Sequence, residues 1–203
     1  MLKPGETLTD RLIKQVVCSM LGSQPSMPTL AETAEITGVD IAIARTIFPT
    51  DEALHDAVGS FGILRLTDHL SRSLIAAPPN DPRAALVALG TAYVGWAREN
   101  PDLYRVVGHQ VFHHDGVNYQ GYDEGFRVLV ERHLGATRDG GSLRPLMGRA
   151  FIFGLADMVL DDHFQIWSPP GMDDETAVRA AIEELVDLLL VPKPAPQPIR
   201  SEA

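Results

Sequence analysis

Cysteine is almost missing from this chain, which carries one, Cys18, in 203 residues. A single thiol excludes an intramolecular disulfide, and Cys18 sits among apolar residues at helical spacing, so it reads as a packing residue rather than a reactive one. Positive charge is also scarce. Seventeen Lys and Arg against 27 Asp and Glu leave a formal charge of -10, which argues against broad attraction to nucleic acid or anionic lipid. No long apolar run is present. The nearly apolar stretch from Ala150 to Leu160 is about half of the roughly 20 residues that a bilayer-crossing helix needs. Met1 to Asp10 lacks the basic stretch, apolar run and small-residue cleavage site of a secretory leader, so a cytoplasmic protein without membrane contact is expected. Nucleophile elbow, phosphate loop, zinc signature and dinucleotide fingerprint are all lacking too, so nothing argues for catalysis, a cofactor or a metal.

What the chain does have is apolar content, 45% of its residues, spaced for helices throughout and without convincing strand pairing. A first helix is expected from about Thr7 to Gly22, ended by the Gly22, Ser23, Pro25 and Pro28 cluster. Thr29 followed by Glu32 has capping-box spacing, so a short helix starts there, and Gly38 stops it because glycine takes the left-handed turn cheaply. A further short apolar segment runs from Asp40 to Phe48, and two short helices joined at a glycine read as helix-turn-helix. Pro49 breaks the chain, and Thr50 caps a long helix carrying Leu54, Val58, Phe61, Leu64, Leu70 and Leu74. Asp81 and Pro82 open the next, with Leu86, Leu89, Tyr93 and Trp96 in one stripe. A short piece follows Pro101, and Tyr122, Phe126, Leu129 and His133 mark another helix. The two most apolar helices come last, about Leu143 to Phe164 and Asp174 to Val191, the second with Val178, Ile182, Leu185 and Leu189 on one face. An all-α fold of about nine helices is expected, divided into a helix-turn-helix headpiece at 1-52, a body at 53-191 and a flexible proline-rich tail at 192-203.

The succession Thr29-Leu30-Ala31-Glu32-Thr33-Ala34, then Gly38-Val39, a short helix, Phe48-Pro49-Thr50 and Glu52-Ala53-Leu54 resembles the headpiece of the TetR family of transcriptional regulators. Tyr93 to Arg105, reading YVGWARENPDLYR, is similar to a stretch found in one large subgroup of that family. The resemblance spans nearly the whole chain. It implies a homodimer that inserts its third helix into the major groove of operator DNA and joins its partner through the last two helices. It also implies a cavity among the middle helices for a small, mostly apolar effector, whose binding releases the operator by favouring one conformation.

On that basis Thr29, Ile41, Ala42, Ile43, Arg45 and Thr46 are the expected DNA-facing residues, with Lys14 or Lys3 on phosphates. Tyr93, Trp96, Phe112, His113, Tyr122, Phe126, Phe151 and Met158 are candidates to line the effector cavity. Leu146, Ala150, Phe153, Val178, Ile182, Leu185 and Leu189 are expected at the dimer interface. The headpiece departs from the family pattern in two respects. Its third helix, Asp40 to Ile47, lacks the usual polar, glycine, lysine and tyrosine residues, and Asp51 stands where a lysine is usual, so its carboxylate is expected to repel a phosphate. Through His55 the basic residues number four and the acidic ones seven, a balance of -3. Ile41 and Ile43 are thus open to two readings: methyl contacts to thymine, or a surface that meets protein. A protein-interaction module of the same fold, its headpiece no longer on DNA, is the alternative function.

Two clusters invite a metal reading. His109 and His113 are four apart, followed by His114 and Asp115, but no third ligand is placed by spacing, and a pocket-lining or solvated helix end is the plainer reading. Asp157, Asp161, Asp162 and His163 read as a solvated or intersubunit hydrogen-bonding patch.

Overall fold

Ten helices follow one another in the computed structural model, which describes residues 6–19, 27–107, 117–137, 139–161 and 163–191, and within these all side chains but those of 117–123. They are α1 (Leu8–Ser19), α2 (Leu30–Thr37), α3 (Ile41–Ile47), α4 (Asp51–Ala76), α5 (Pro82–Glu99), α6 (Pro101–Arg105), α7 (Val117–Leu134), α8 (Arg144–Leu160), α9 (Phe164–Trp167) and α10 (Asp174–Leu190). Among the described residues there is no strand, as expected, and ten helices rather than about nine are seen because α9 is a separate short turn after α8. No described helix is long and apolar enough to cross a membrane.

The helix starts follow from their caps. Thr29 Oγ1 accepts the Glu32 N–H at 3.2 Å while the Glu32 carboxylate accepts the Thr29 N–H at 2.7 Å, which closes the capping box of α2. Gly38 ends it at φ 66°, left-handed backbone that a side chain would strain. Asp40, Thr50, Asp81 and Asp173 then accept the first free N–H groups of α3, α4, α5 and α10, at 2.7, 3.2, 2.9 and 2.9 Å.

α1 to α3 form the headpiece around Leu12, Val16, Leu30, Ala34, Ala44 and Phe48, all buried, with Leu54 and Val58 of α4 completing that core. The division expected between residues 52 and 53 falls within the first turn of α4, so headpiece and body share one continuous helix of 26 residues. In the body α5 is central, packed against α4, α7, α8 and α10, and it buries Leu86, Leu89, Tyr93, Val94, Trp96 and Ala97. After α5 the chain comes back beside the headpiece through α6, which touches both α1 and α4.

The approach of α6 to α4 is close because of one residue. A Cβ on Gly62 would lie 2.7 Å from Val107 Cγ2 and 3.4 Å from Leu103 Cδ2, whereas one on Gly95 of α5 would meet nothing within 4 Å. Alanine gains about 1 kcal/mol over glycine in a helix, but overpacking costs about 1–3 kcal/mol, and a β-branched valine cannot swing aside easily. Gly62→Ala should therefore lower the thermal midpoint and Gly95→Ala raise it by about 2–4 °C, as read by circular dichroism. Equal midpoints for the two variants would mean that α4 and α6 do not approach this closely.

Candidate functional site

Two regions carry the functional expectations, the outer face of the headpiece and a cavity in the body. On the headpiece, Ile41, Ala42, Ile43, Arg45 and Thr46 are all exposed, because Ala44 is the residue of α3 that turns inward, to complete burial. Ile36 of α2 adds a third exposed isoleucine. Thr46 Oγ1 donates to the Ile43 carbonyl at 2.7 Å, and the Thr29 hydroxyl is engaged with Glu32 at 2.8 Å. Lys14 pairs with Glu6 at 2.9 Å and Arg11 donates to the Thr37 carbonyl, so both cations serve the headpiece itself. Lys3 lies outside the described residues.

Asp51 departs from the sequence expectation. Its Oδ1 accepts the Leu30 N–H at 2.7 Å, and the residue is only partly exposed. Four N–H groups at a helix start lack partners within the helix, and this carboxylate takes one of them. Asp51 is thus a cap shared between α4 and α2 rather than a charge held out toward a phosphate. Beside it, the Thr29 N–H and hydroxyl hold the Glu32 carboxyl below the usual carboxylate range. The amino end of α2, an anion-favouring place, is occupied by two carboxylates of the chain itself.

The body contains a cavity of about 330 Å³ between α5, α7, α8 and α10. Leu86, Leu89, Gly90 and Tyr93 of α5 form one wall, and Phe126, Val130 and Leu134 of α7 another. Ile152 and Leu146 come from α8, and Leu185, Val186 and Leu189 from α10. Four polar residues interrupt this lining: Arg127, Glu131, Ser142 and Arg149. Burial, above all, pushes the Tyr93 hydroxyl up from its ordinary value, against the pull of Arg149.

Of the expected cavity residues, the structure brings Tyr93 and Phe126 to the wall. Trp96 is buried in the core and Met158 is half-buried against it, both away from the cavity, while Phe151 lies on the outer surface. Phe112 and His113 lie outside the described residues, as do His109, His114 and Asp115, and so does the side chain of Tyr122. The sequence reading missed Arg127, Glu131 and Arg149 because charged residues at helical spacing read as a solvated face. Among the described residues no group of three metal-ligating side chains converges. Asp157 instead accepts the Tyr104 hydroxyl at 2.9 Å.

The expected interface residues divide. Leu146 and Ala150 are exposed on α8, Phe153 is half-buried beside Tyr104 with ring centres 5.9 Å apart, and Leu185 lines the cavity. Val178, Ile182 and Leu189 are buried within the protomer, at 5%, 0% and 6% exposure, which corrects their placement at a partner surface. Their stripe on α10 faces α5 and α8 of the same chain. The outward residues of the pair are Met147 and Phe151 on α8 with Leu188 on α10, followed by Val191.

No family model and no curated protein matches the chain. Solved structures do. A protein of unknown function from Rhodococcus sp. RHA1 is 23% identical, superimposes with a TM-score of 0.74, and the match covers 91% of this chain and 96% of that one. A regulatory protein in the TetR family from Rhodococcus RHA1 gives 14% identity, a TM-score of 0.65 and coverage of 91% and 96%. The fatty acid degradation regulator FadR from Bacillus halodurans gives 15%, 0.66, and 93% and 97%. At these identities the likeness is one of architecture, and the chain has the fold of the TetR-family transcriptional regulators.

Proposed function

We propose that this chain is a homodimeric, ligand-responsive transcriptional regulator that binds operator DNA through α3 and releases it when a small apolar molecule enters the body cavity. The observation that carries this reading is the placement of that cavity. Its wall helix α5 packs along α4, and α4 begins at the headpiece, so a change of shape around the cavity has a rigid path to α3. The lining favours an apolar guest, and a fold neighbour that regulates fatty acid degradation fits such a guest. Repression by a free dimer and release by ligand is population shift: the guest binds more tightly to the conformation whose headpieces no longer match the operator.

A second reading is favoured by Asp51 and Glu32. With the amino end of α2 filled by carboxylates, and Ile36, Ile41 and Ile43 exposed on α2 and α3, the headpiece suits a protein partner as well as a phosphate backbone. A gel shift of the purified protein on its own upstream region, across a salt series and against a scrambled duplex, separates the two. Sequence-specific retardation that weakens with salt is the expected result, and Arg45→Ala should then weaken binding by about tenfold or more, as loss of a charge-assisted contact of ~1.5–3 kcal/mol requires. Absence of any specific shift at micromolar protein would overturn the DNA reading in favour of the partner-binding one.

A further inference from the structure

The charged side chains at and just behind the cavity wall fall into two clusters, each holding both signs. On α7, Glu131 is buried, Arg127 Nη1 stands 2.5 Å from its carboxylate, and the same guanidinium pairs with the more exposed Glu124. On α8, Arg149 and Asp157 belong to one network. Arg149 Nη1 donates to the Tyr93 hydroxyl at 3.1 Å, and the Tyr104 hydroxyl donates to Asp157 Oδ1 at 2.9 Å. The two tyrosine rings, both buried, meet edge to face with centres 6.0 Å apart. Burial pushes both hydroxyls above their ordinary value, Asp157 adds to that push, and Arg149 pulls against it. The guanidinium is further held by the faces of Tyr93 and Phe153, with ring centres 5.5 and 5.2 Å from its central carbon. Apart from these groups the described lining is hydrocarbon but for Ser142, whose Oγ accepts the Arg144 N–H at 3.4 Å. Leu143 and Leu146 both line the cavity and are exposed, which puts its mouth beside two leucine side chains.

Resting on the effector reading of this same cavity, we propose that its natural guest is an uncharged molecule of mainly hydrocarbon character, and that the balanced charges of the wall exclude a carboxylate or phosphate of the same shape. An anion that enters must shed its water, and a cation repays that loss only where its own charge is not already answered. Arg127 is divided between two carboxylates, and Arg149 works against Asp157 within one network. A hydroxyl, ketone or ester loses much less on leaving water. The hydrocarbon then meets Leu86, Leu89, Ile152 and Leu185. A volume of 330 Å³ is at the small end of the ~300–1,000 Å³ usual for such sites, which points to a medium-chain or compact cyclic guest.

Calorimetric titration of the full-length protein at neutral pH with decanol and decanoate, and with adamantanemethanol and adamantanecarboxylate, tests this directly. In the second pair the head group sits on a compact cage and must follow the hydrocarbon inward. Each alcohol should bind about tenfold or more tightly than its acid, as a desolvation cost of several kcal/mol for an unmatched ion requires. Glu131→Gln, which removes one wall carboxylate and keeps the shape, should narrow the ratio of alcohol to acid affinity, and Arg149→Met should widen it. An acid that binds as tightly as its alcohol, or a ratio that neither substitution moves, would overturn the exclusion of charge while leaving the effector cavity in place. Leu89→Trp and Leu185→Trp fill the cavity from two different helices, and each should abolish alcohol binding with an unchanged helical spectrum. Failure of both alcohols to bind the natural chain, or binding that survives in both tryptophan variants, would overturn the effector reading itself.

Discussion

Ile182→Ala should lower the thermal midpoint by roughly 4–20 °C, from a loss of about 2–5 kcal/mol at about 2–4 °C per kcal/mol. Ile182 is fully buried where three helices converge. Its Cγ2 is 2.9 Å from the position a Cβ on Gly90 would take, and Ile152 Cδ1 is 3.0 Å from the same point. With α5, α8 and α10 held apart by their other contacts, the site cannot collapse around the missing atoms. The void also joins an existing one, because Gly90 and Ile152 line the cavity. The same closeness predicts how a second change combines with the first. Gly90→Ala alone inserts a methyl group into Ile182 and should destabilise, whereas in the Ile182→Ala background that methyl group has room. The pair should therefore deviate from additivity by about 0.5–3 kcal/mol in the stabilising direction. Strict additivity in chemical denaturation would show that α5 and α10 do not meet at this point.

How far the sequence foretold these features depends on the range of the interaction concerned. Thr29 with Glu32, Gly38, Thr50, and Asp81 before Pro82 act within one helical turn, and each does in the structure what its spacing predicts. The apolar stripe of α10 was equally legible as a stripe. Its direction was not, since Val178, Ile182 and Leu189 would show one period whether they met α5 or a second protomer. Asp51 failed for a related reason. Its partner is the Leu30 N–H, 21 residues earlier, and no local pattern connects a carboxylate at one helix start with the amide at another. Arg149 was passed over because its role comes from Tyr93, which is 56 residues away in sequence. Of the aromatics spaced as a stripe on α5, Tyr93 reaches the cavity wall while Trp96 is core. The cavity lies between α5, α7, α8 and α10, where their packing rather than their composition decides the space left open.

Phe151→Glu combined with Leu188→Glu should turn the proposed dimer into a folded monomer, seen as a halved mass in sedimentation with an unchanged helical spectrum. α8 and α10 run antiparallel, with the Arg144 guanidinium donating to the Val191 carbonyl where the start of one meets the end of the other. Outward along this pair stand Met147 at 57% exposure, Phe151 at 37%, Leu188 at 67% and Val191 at 57%. Single exposed apolar residues are ordinary, but several on two adjacent helices make a patch of the kind that marks an interface. Asp187, next to Leu188 in sequence, is held by Arg83 through two hydrogen bonds of 2.6 and 2.9 Å within the protomer. In a twofold dimer the same patch meets itself, so each substitution appears twice and the double variant places four carboxylates between apolar faces. Every buried, unpaired charge costs several kcal/mol, and the total exceeds what such a patch contributes. Because both residues lie outside the protomer core, the fold should survive, unlike a charge introduced at Val178, which is buried within the protomer and should unfold the chain. Operator affinity should fall with the dimer, since one headpiece reads only half of a palindromic site. A double variant that still sediments as a dimer would move the interface to another face and leave this patch for a different partner.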